Sequence, residues 1–252
     1  MANKFTKCFI ALGVSAALCS LIADSSWAGD GIWTQVGPRS DESTATVVRV
    51  APSDGMYLYL LDSDTLYRSN DAGVNWSSCA FPLGLSAYDI EVSHQHPERI
   101  YVRVYDSASS SDTIFRSDNG GQDWIRLLDA NPNEYINDLA VAPSNEDFVY
   151  VGGNRGGPIL YRSADGGQSW TGPMGDWAGT FRTMTVHPND PQTLYVATSL
   201  GAYVSTDAGS SFTHLGLDDV TSIGLCPHDP QLVYAGTDSG VFRSENRGDS
   251  WA

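Results

Sequence analysis

The chain has 252 residues, with 14 Lys+Arg set against 30 Asp+Glu for a formal net charge of −16. A surface this acidic repels nucleic acid and anionic lipid, so neither is expected as a partner. Four cysteines are too few for a disulfide-built scaffold, while 25 glycines and 12 prolines promise a turn-rich fold.

Residues 1–28 carry Lys4 and Lys7, an apolar run from Cys8 to Ile22 and a small-residue exit ending at Ala28. This reads as a secretory signal cut after Ala28, too short for a membrane-spanning helix. A lipid attachment at Cys19 is disfavoured by the bulky Leu18 before it. The expectation is an exported protein, periplasmic or extracellular, with residues 29–252 as a single domain. Without Lys4, Lys7 and Asp24 that part has no lysine and sets 12 arginines against 29 acids. Schiff-base chemistry and a phosphate-binding P-loop lysine are thereby excluded. Its two cysteines, Cys79 and Cys226, fall on an outer and an inner strand by repeat position and are expected to stay unpaired.

Beyond the leader, one signature recurs five times: YRSNDAGVNW, FRSDNGGQDW, YRSADGGQSW, YVSTDAGSSF and FRSENRGDSW. Its serines are Ser69, Ser117, Ser163, Ser205 and Ser244, spaced by 48, 46, 42 and 39 residues. Two residues after each stands Asp71, Asn119, Asp165, Asp207 or Asn246, whose short side chain can bond nearby backbone N–H groups. Four after it stands Gly73, Gly121, Gly167, Gly209 or Gly248, free to take positive φ. Seven after it stands Trp76, Trp124, Trp170, Phe212 or Trp251, a large apolar plug. Each copy predicts a tight β-hairpin.

A second signature alternates with the first. A turn residue at Pro52, His94, Pro143, Pro188 and Pro227 is followed seven residues later by Tyr59, Tyr101, Tyr150, Tyr195 and Tyr234. Val, Ile, Leu and Tyr on both sides make two strands, and proline suits a strand end. Each unit therefore reads as strands A to D: A ends at the turn residue, B holds the tyrosine, C enters the serine turn, and D begins at its aromatic. Four short antiparallel strands every 39–48 residues predict an all-β propeller of five blades. The last blade has no strand D of its own. GIWTQVGP, residues 31–38, resembles a detached one, with Trp33 preceding Pro52 by the same 19 residues as Trp124 precedes Pro143. We expect it to complete the last blade and close the ring, the alternative being part of a larger propeller.

The serine signature resembles the Asp-box, S-x-D-x-G-x-x-W, of bacterial-neuraminidase-type repeats. Two copies, Ser69–Trp76 and Ser163–Trp170, carry it in full. The resemblance runs from Gly31 to Trp251 and extends to sialidase-like propellers, sortilin (VPS10)-like proteins and Ycf48/HCF136-like photosystem II assembly factors. It implies a structural role for the boxes and, from the last two groups, binding of proteins or peptides.

Function is then expected on the opposite face, at the channel mouth lined by D–A and B–C loops. Arg49 and Glu91 share the position three before the turn residue, and Asp89 and Asp138 the position five before it. Charges on inner strands need partners, so they either pair between blades or line a polar site. Arg49, Tyr88, Tyr135, Trp177 and Arg182 are the candidate ligand-binding residues. The candidate ligand is a protein, a peptide or a glycan bound by a non-catalytic monomer without cofactor or metal. The enzymatic alternative is a glycosidase with Asp89, Asp138 and Glu91 as acids, which requires two carboxylates about 5–9 Å apart. A sialidase would also need three convergent arginines for the substrate carboxylate, and these are not evident. A lectin would repeat its binding residues in every blade, whereas these loops differ.

Overall fold

The computed structural model of the protein describes Gly37 and residues 45–62, 65–79, 85–107, 109–175 and 177–252. These form five antiparallel sheets, and no helix occurs among them. The first sheet is β1 (Ala45–Val50), β2 (Leu58–Asp62), β3 (Thr65–Ser69) and β4 (Ser77–Ser78). The second is β5 (Leu85–Val92), β6 (Ile100–Asp106), β7 (Ser111–Ser117) and β8 (Ile125–Asp129). The third holds β9 (Tyr135–Val141), β10 (Val149–Asn154), β11 (Pro158–Ser163) and β12 (Thr171–Met174). The fourth holds β13 (Phe181–Val186), β14 (Leu194–Thr198), β15 (Gly201–Ser205) and β16 (Thr213–His214). The fifth has three strands, β17 (Val220–Cys226), β18 (Asp229–Thr237) and β19 (Gly240–Ser244). Each sheet is a meander in chain order, as the alternating signatures predict. Apart from Gly37, the segment 31–38 expected to complete the last sheet lies outside the described residues. The aromatic place in that sheet's serine turn is already held by Trp251, whose Nε1 donates to Leu215 O at 3.0 Å.

The five serine turns share one conformation. In each, the serine Oγ accepts the glycine N–H at 2.7–2.9 Å and donates to the Asp or Asn side chain two residues on at 2.7–2.9 Å. Three residues after the serine, Ala72, Gly120, Gly166, Ala208 and Arg247 take φ of 57°, 66°, 69°, 58° and 61°. The next glycine follows at φ between 85° and 96°. Two consecutive left-handed residues turn the chain and push one carbonyl outward. Asp165, half-buried and bonded by Ser163 and Ser169, has its pKa lowered to about 2, mainly by the Ser169 hydroxyl.

Those outward carbonyls hold one sheet to the next. Arg68 Nη1 donates to Asn119 O at 3.1 Å, Arg116 Nη1 to Gly166 O at 2.5 Å, and Arg162 Nη1 to Ala208 O at 3.2 Å. The repeated tyrosines make the same crossing. Tyr59 donates to Pro97 O, Tyr101 to Gly166 O, Tyr150 to Pro191 O and Tyr195 to Arg247 O, at 2.7–3.3 Å. All four rings are 0–1 % exposed. Burial raises the hydroxyl pKa of each, that of Tyr101 to about 12. Four apolar clusters fill the four junctions, first sheet to second through fourth to fifth. Cys79 and Cys226 are free and buried, as expected.

Replacing Tyr150 by Phe strips Pro191 O of its buried donor and should cost about 1 kcal/mol in urea unfolding. Tyr234→Phe, whose hydroxyl bonds nothing among the described residues, should leave the midpoint unchanged. Gly167→Ala should cost more, about 1–3 kcal/mol by the same measurement, because φ is +92° and its Cβ would stand 2.5 Å from Leu127 Cδ1.

Candidate functional site

The inner strands β1, β5, β9, β13 and β17 pack side by side in that order. Every one of them slips register by one residue, at the position six before the turn residue. The slips fall between Ala45 and Val47, Ala87 and Asp89, Ile136 and Asp138, Phe181 and Thr183, and Val220 and Ser222. The residue left over is Tyr88 on β5, Asn137 on β9, Arg182 on β13 and Thr221 on β17. A bulged residue has no ladder partner and its side chain is re-aimed, a device common beside binding sites. Tyr88 is 51 % exposed, Arg182 and Asn137 are exposed, and Arg182 has no bonding partner among the described residues. Tyr135, two places before Asn137, is 68 % exposed.

This exposed set is rigidly backed. The Arg103 guanidinium lies 5.3 Å from the Tyr88 ring centroid and donates to Ile136 O at 2.9 Å. Glu134, whose side chain is 0 % exposed, accepts from Asn131 N at 2.8 Å, Tyr161 Oη at 2.7 Å and Arg155 Nη1 at 3.0 Å. Although burial opposes it, these donors together hold its pKa below the ordinary value. The loop ahead of Tyr135 is thereby fixed. Asn154 joins β10 to the next sheet, donating to Phe181 O at 3.1 Å and accepting from Phe181 N at 2.8 Å.

The inner-strand charges are paired between sheets. Arg49 Nη2 meets Asp89 Oδ1 at 2.9 Å, and Arg49 Nε lies 3.7 Å from Glu91 Oε2. Asp138 Oδ2 accepts from Thr183 Oγ1 at 2.6 Å and Met184 N at 2.7 Å, while Oδ1 accepts from Leu139 N. Burial and the facing acids Asp89 and Asp138 push the Glu91 carboxyl up to about 8, against the pull of Arg49. Burial likewise raises Asp138 to about 6, against three hydrogen bonds.

Of the five candidate ligand residues, Tyr88, Tyr135 and Arg182 are exposed, on the inner strands β5, β9 and β13. Arg49 is committed to Asp89 and Glu91. Trp177 is corrected: it is 7 % exposed, its ring 4.0 Å from Phe212, because that aromatic replaces the usual tryptophan plug and leaves room for it. The bulges escaped the sequence reading because one extra residue per strand does not disturb the 3-residue and 5-residue offsets from the turn. His96 joins a second network with the buried pair Ser93 and Glu146. His96 Nδ1 lies 2.6 Å from Glu146 Oε1, Arg99 Nη1 lies 2.6 Å from the same oxygen, and Ser93 Oγ donates to Oε2. This locks the A–B turns of the second and third sheets together.

No family model matches the chain. Among solved structures, an ancestral GH74 enzyme superimposes with a TM-score of 0.65 at 18 % identity, covering 82 % of this chain and 30 % of that one. YCF48 from Cyanidioschyzon merolae gives 0.58 at 15 %, covering 87 % of each chain. The chain is a β-propeller. Hydrazine synthase of Kuenenia stuttgartiensis gives 0.62 at 12 % over 79 % of this chain and 70 % of that one. A xyloglucanase of Hypocrea jecorina is 46 % identical over 57 residues, 22 % of this chain and 7 % of that protein's length. The chain thus spans a small part of the curated relative it matches.

The raised pKa values fix the sign of a pH effect. A carboxyl whose folded pKa exceeds its unfolded value adds stability that is full below the unfolded pKa and lost as pH rises through the folded one. Glu91, moving from 4.5 to about 8, should therefore make the protein less stable as pH climbs through that window. Glu91→Gln should flatten the fall in melting temperature between pH 5 and 8.

Proposed function

We propose that the protein is an exported, non-catalytic binding propeller that recognises a peptide or glycan chain at the bulged edge of its inner strands. The observation that carries this is the division of labour at that edge. The acids beneath are spent on neighbouring blades, and the exposed side chains, Tyr88, Tyr135 and Arg182, are two aromatic platforms and a free cation. Such a set stacks and orients a ligand, since aromatic faces bury large area and guanidinium groups bond planar acceptors. The serine turns act on the opposite side as Asp-boxes whose role is to hold blade to blade. Likeness to YCF48, at nearly equal chain coverage, is in keeping with a binding role.

A second reading, a glycoside hydrolase of extracellular glycans, draws on a specific observation. Glu91, with its carboxyl raised to about 8, would hold a proton at neutral pH as a general acid must, close enough to Asp89 and Asp138 to feel their charge. The 57-residue match to a xyloglucanase favours the same chemistry. The geometry argues against it, because Asp89 Oδ1 and both Asp138 oxygens are already occupied.

Binding to xyloglucan oligosaccharides and to peptide pools, followed by calorimetry, separates these readings. Tyr88→Ala combined with Tyr135→Ala should weaken binding about tenfold or more, which is about 1.4 kcal/mol. Its melting temperature should be unchanged. Asp138→Asn should lower the melting temperature and leave affinity intact. Turnover of xyloglucan by the wild type, abolished in Glu91→Gln, would establish the hydrolase instead.

A further inference from the structure

A cleft of about 480 Å³ opens at the fourth blade, on the face of the D–A and B–C loops, lined by Ala178, Leu200, Tyr203, His214, Asp218 and Asp219. Two short connections build it: the turn between β14 and β15, and the loop 215–219 from β16 to β17. Ala202 ties them together. Its carbonyl accepts from Leu215 N at 2.8 Å, and its own N–H donates to Leu217 O at 2.9 Å. The segment carrying Ala178 is fixed to the same turn, with Ser199 N donating to Thr180 O at 3.0 Å and Thr180 N to Ser199 Oγ at 2.9 Å.

The lining combines apolar surface with uncompensated charge. Leu200, 55 % exposed, and Ala178 supply an apolar wall. The Tyr203 ring meets His214 edge-on, with centroids 4.9 Å apart. His214 Nδ1 accepts from Gly216 N at 3.2 Å, which puts the proton of the neutral ring on Nε2, 3.5 Å from Asp218 Oδ1. The imidazole fits there because residue 201 is glycine: a Cβ would lie 2.3 Å from His214 Nε2. No arginine lines the cleft. Asp218 keeps 81 % of its side chain exposed, and Asp219 has no bonding partner among the described residues. The buried acids Glu134 and Glu146, by contrast, have both oxygens bonded.

We infer that this cleft takes the arginine side chain of a partner polypeptide. A guanidinium is planar and weakly hydrated, stacks on aromatic faces and bonds carboxylates with a fixed fork of donors, while its methylene stem covers apolar surface. Asp218 and Asp219 supply the acceptors, Tyr203 the aromatic ring, and Leu200 with Ala178 the wall for the stem. A phosphate or an acidic sugar is repelled by the same two acids. The net charge of −16 draws a basic partner towards the surface as a whole. None of Tyr88, Tyr135 and Arg182 belongs to the cleft, so this assignment stands apart from the ligand reading at the bulged edge.

Amide NMR shifts of the full chain at physiological salt, titrated with the blocked peptide acetyl-Gly-Arg-Gly-amide, test this. Shifts should saturate at Leu200, Gly201 and residues 216–219 and leave the other acidic loops still. The same peptide with citrulline for arginine, equal in shape but uncharged, should bind about tenfold more weakly. Free L-arginine, whose α-carboxylate meets the same acids, should also bind more weakly than the blocked peptide. Asp218→Asn combined with Asp219→Asn, and separately Leu200→Ser, should each weaken binding about tenfold with the melting temperature unchanged. Asp249→Asn, which removes a charge from a serine turn on the opposite face, should leave affinity as it was. Shifts scattered over the acidic surface, an equal response to the citrulline peptide, or binding that survives either set of cleft substitutions overturns the site. Tighter binding of free arginine than of the blocked peptide overturns the polypeptide as its source.

Discussion

The junctions of this molecule share a carbonyl that the chain turns outward three residues after the box serine, at Gly120, Gly166, Ala208 and Arg247. Two successive left-handed residues expose it, and the serine hydroxyl keeps that turn closed by taking one backbone N–H and giving its own proton to the acid or amide. The preceding blade then reaches across with a tyrosine or an arginine. Neutral and charge-assisted hydrogen bonds of this kind gain most where water is excluded, as around the buried Tyr101 and Tyr195. A local turn motif is thereby also the long-range fastening, with no disulfide or metal needed at the junction.

Much of this was legible in the sequence because it repeats. Ser, Asp or Asn, Gly and an aromatic at fixed offsets defined one hairpin per unit, and the proline-to-tyrosine interval placed the inner two strands of each sheet. What the tyrosines do was not legible: their spacing placed a strand, but only the structure shows Tyr101 and Tyr195 ending on turn carbonyls of the following blade. The bulges were hidden for a different reason. Removing one residue from the ladder at Tyr88 or Arg182 leaves every offset from the turn unchanged, so no period in the sequence records it. Trp177 misled because its repeat position puts it in a D–A loop, whereas its ring packs 4.0 Å from Phe212 and is buried.

The inner-strand acids combine the electrostatics of a catalytic centre with partners on neighbouring strands. Asp89, Glu91 and Asp138 sit together in a confined space, and mutual repulsion with burial raises Glu91 and Asp138 far above ordinary carboxylates. The same features mark active sites in general. Here Arg49, Thr183 and Met184 tie Asp89, Glu91 and Asp138 to neighbouring inner strands.

Because each blade touches only the one before and the one after, stability is carried link by link and not by one shared core. Among the described residues, the second, third and fourth blades each have a filled junction on either side. A loss confined to one junction, such as that of the Tyr150 hydroxyl, is therefore felt first by the two blades it joins, and amide hydrogens of β9 to β15 register it before those of the other sheets.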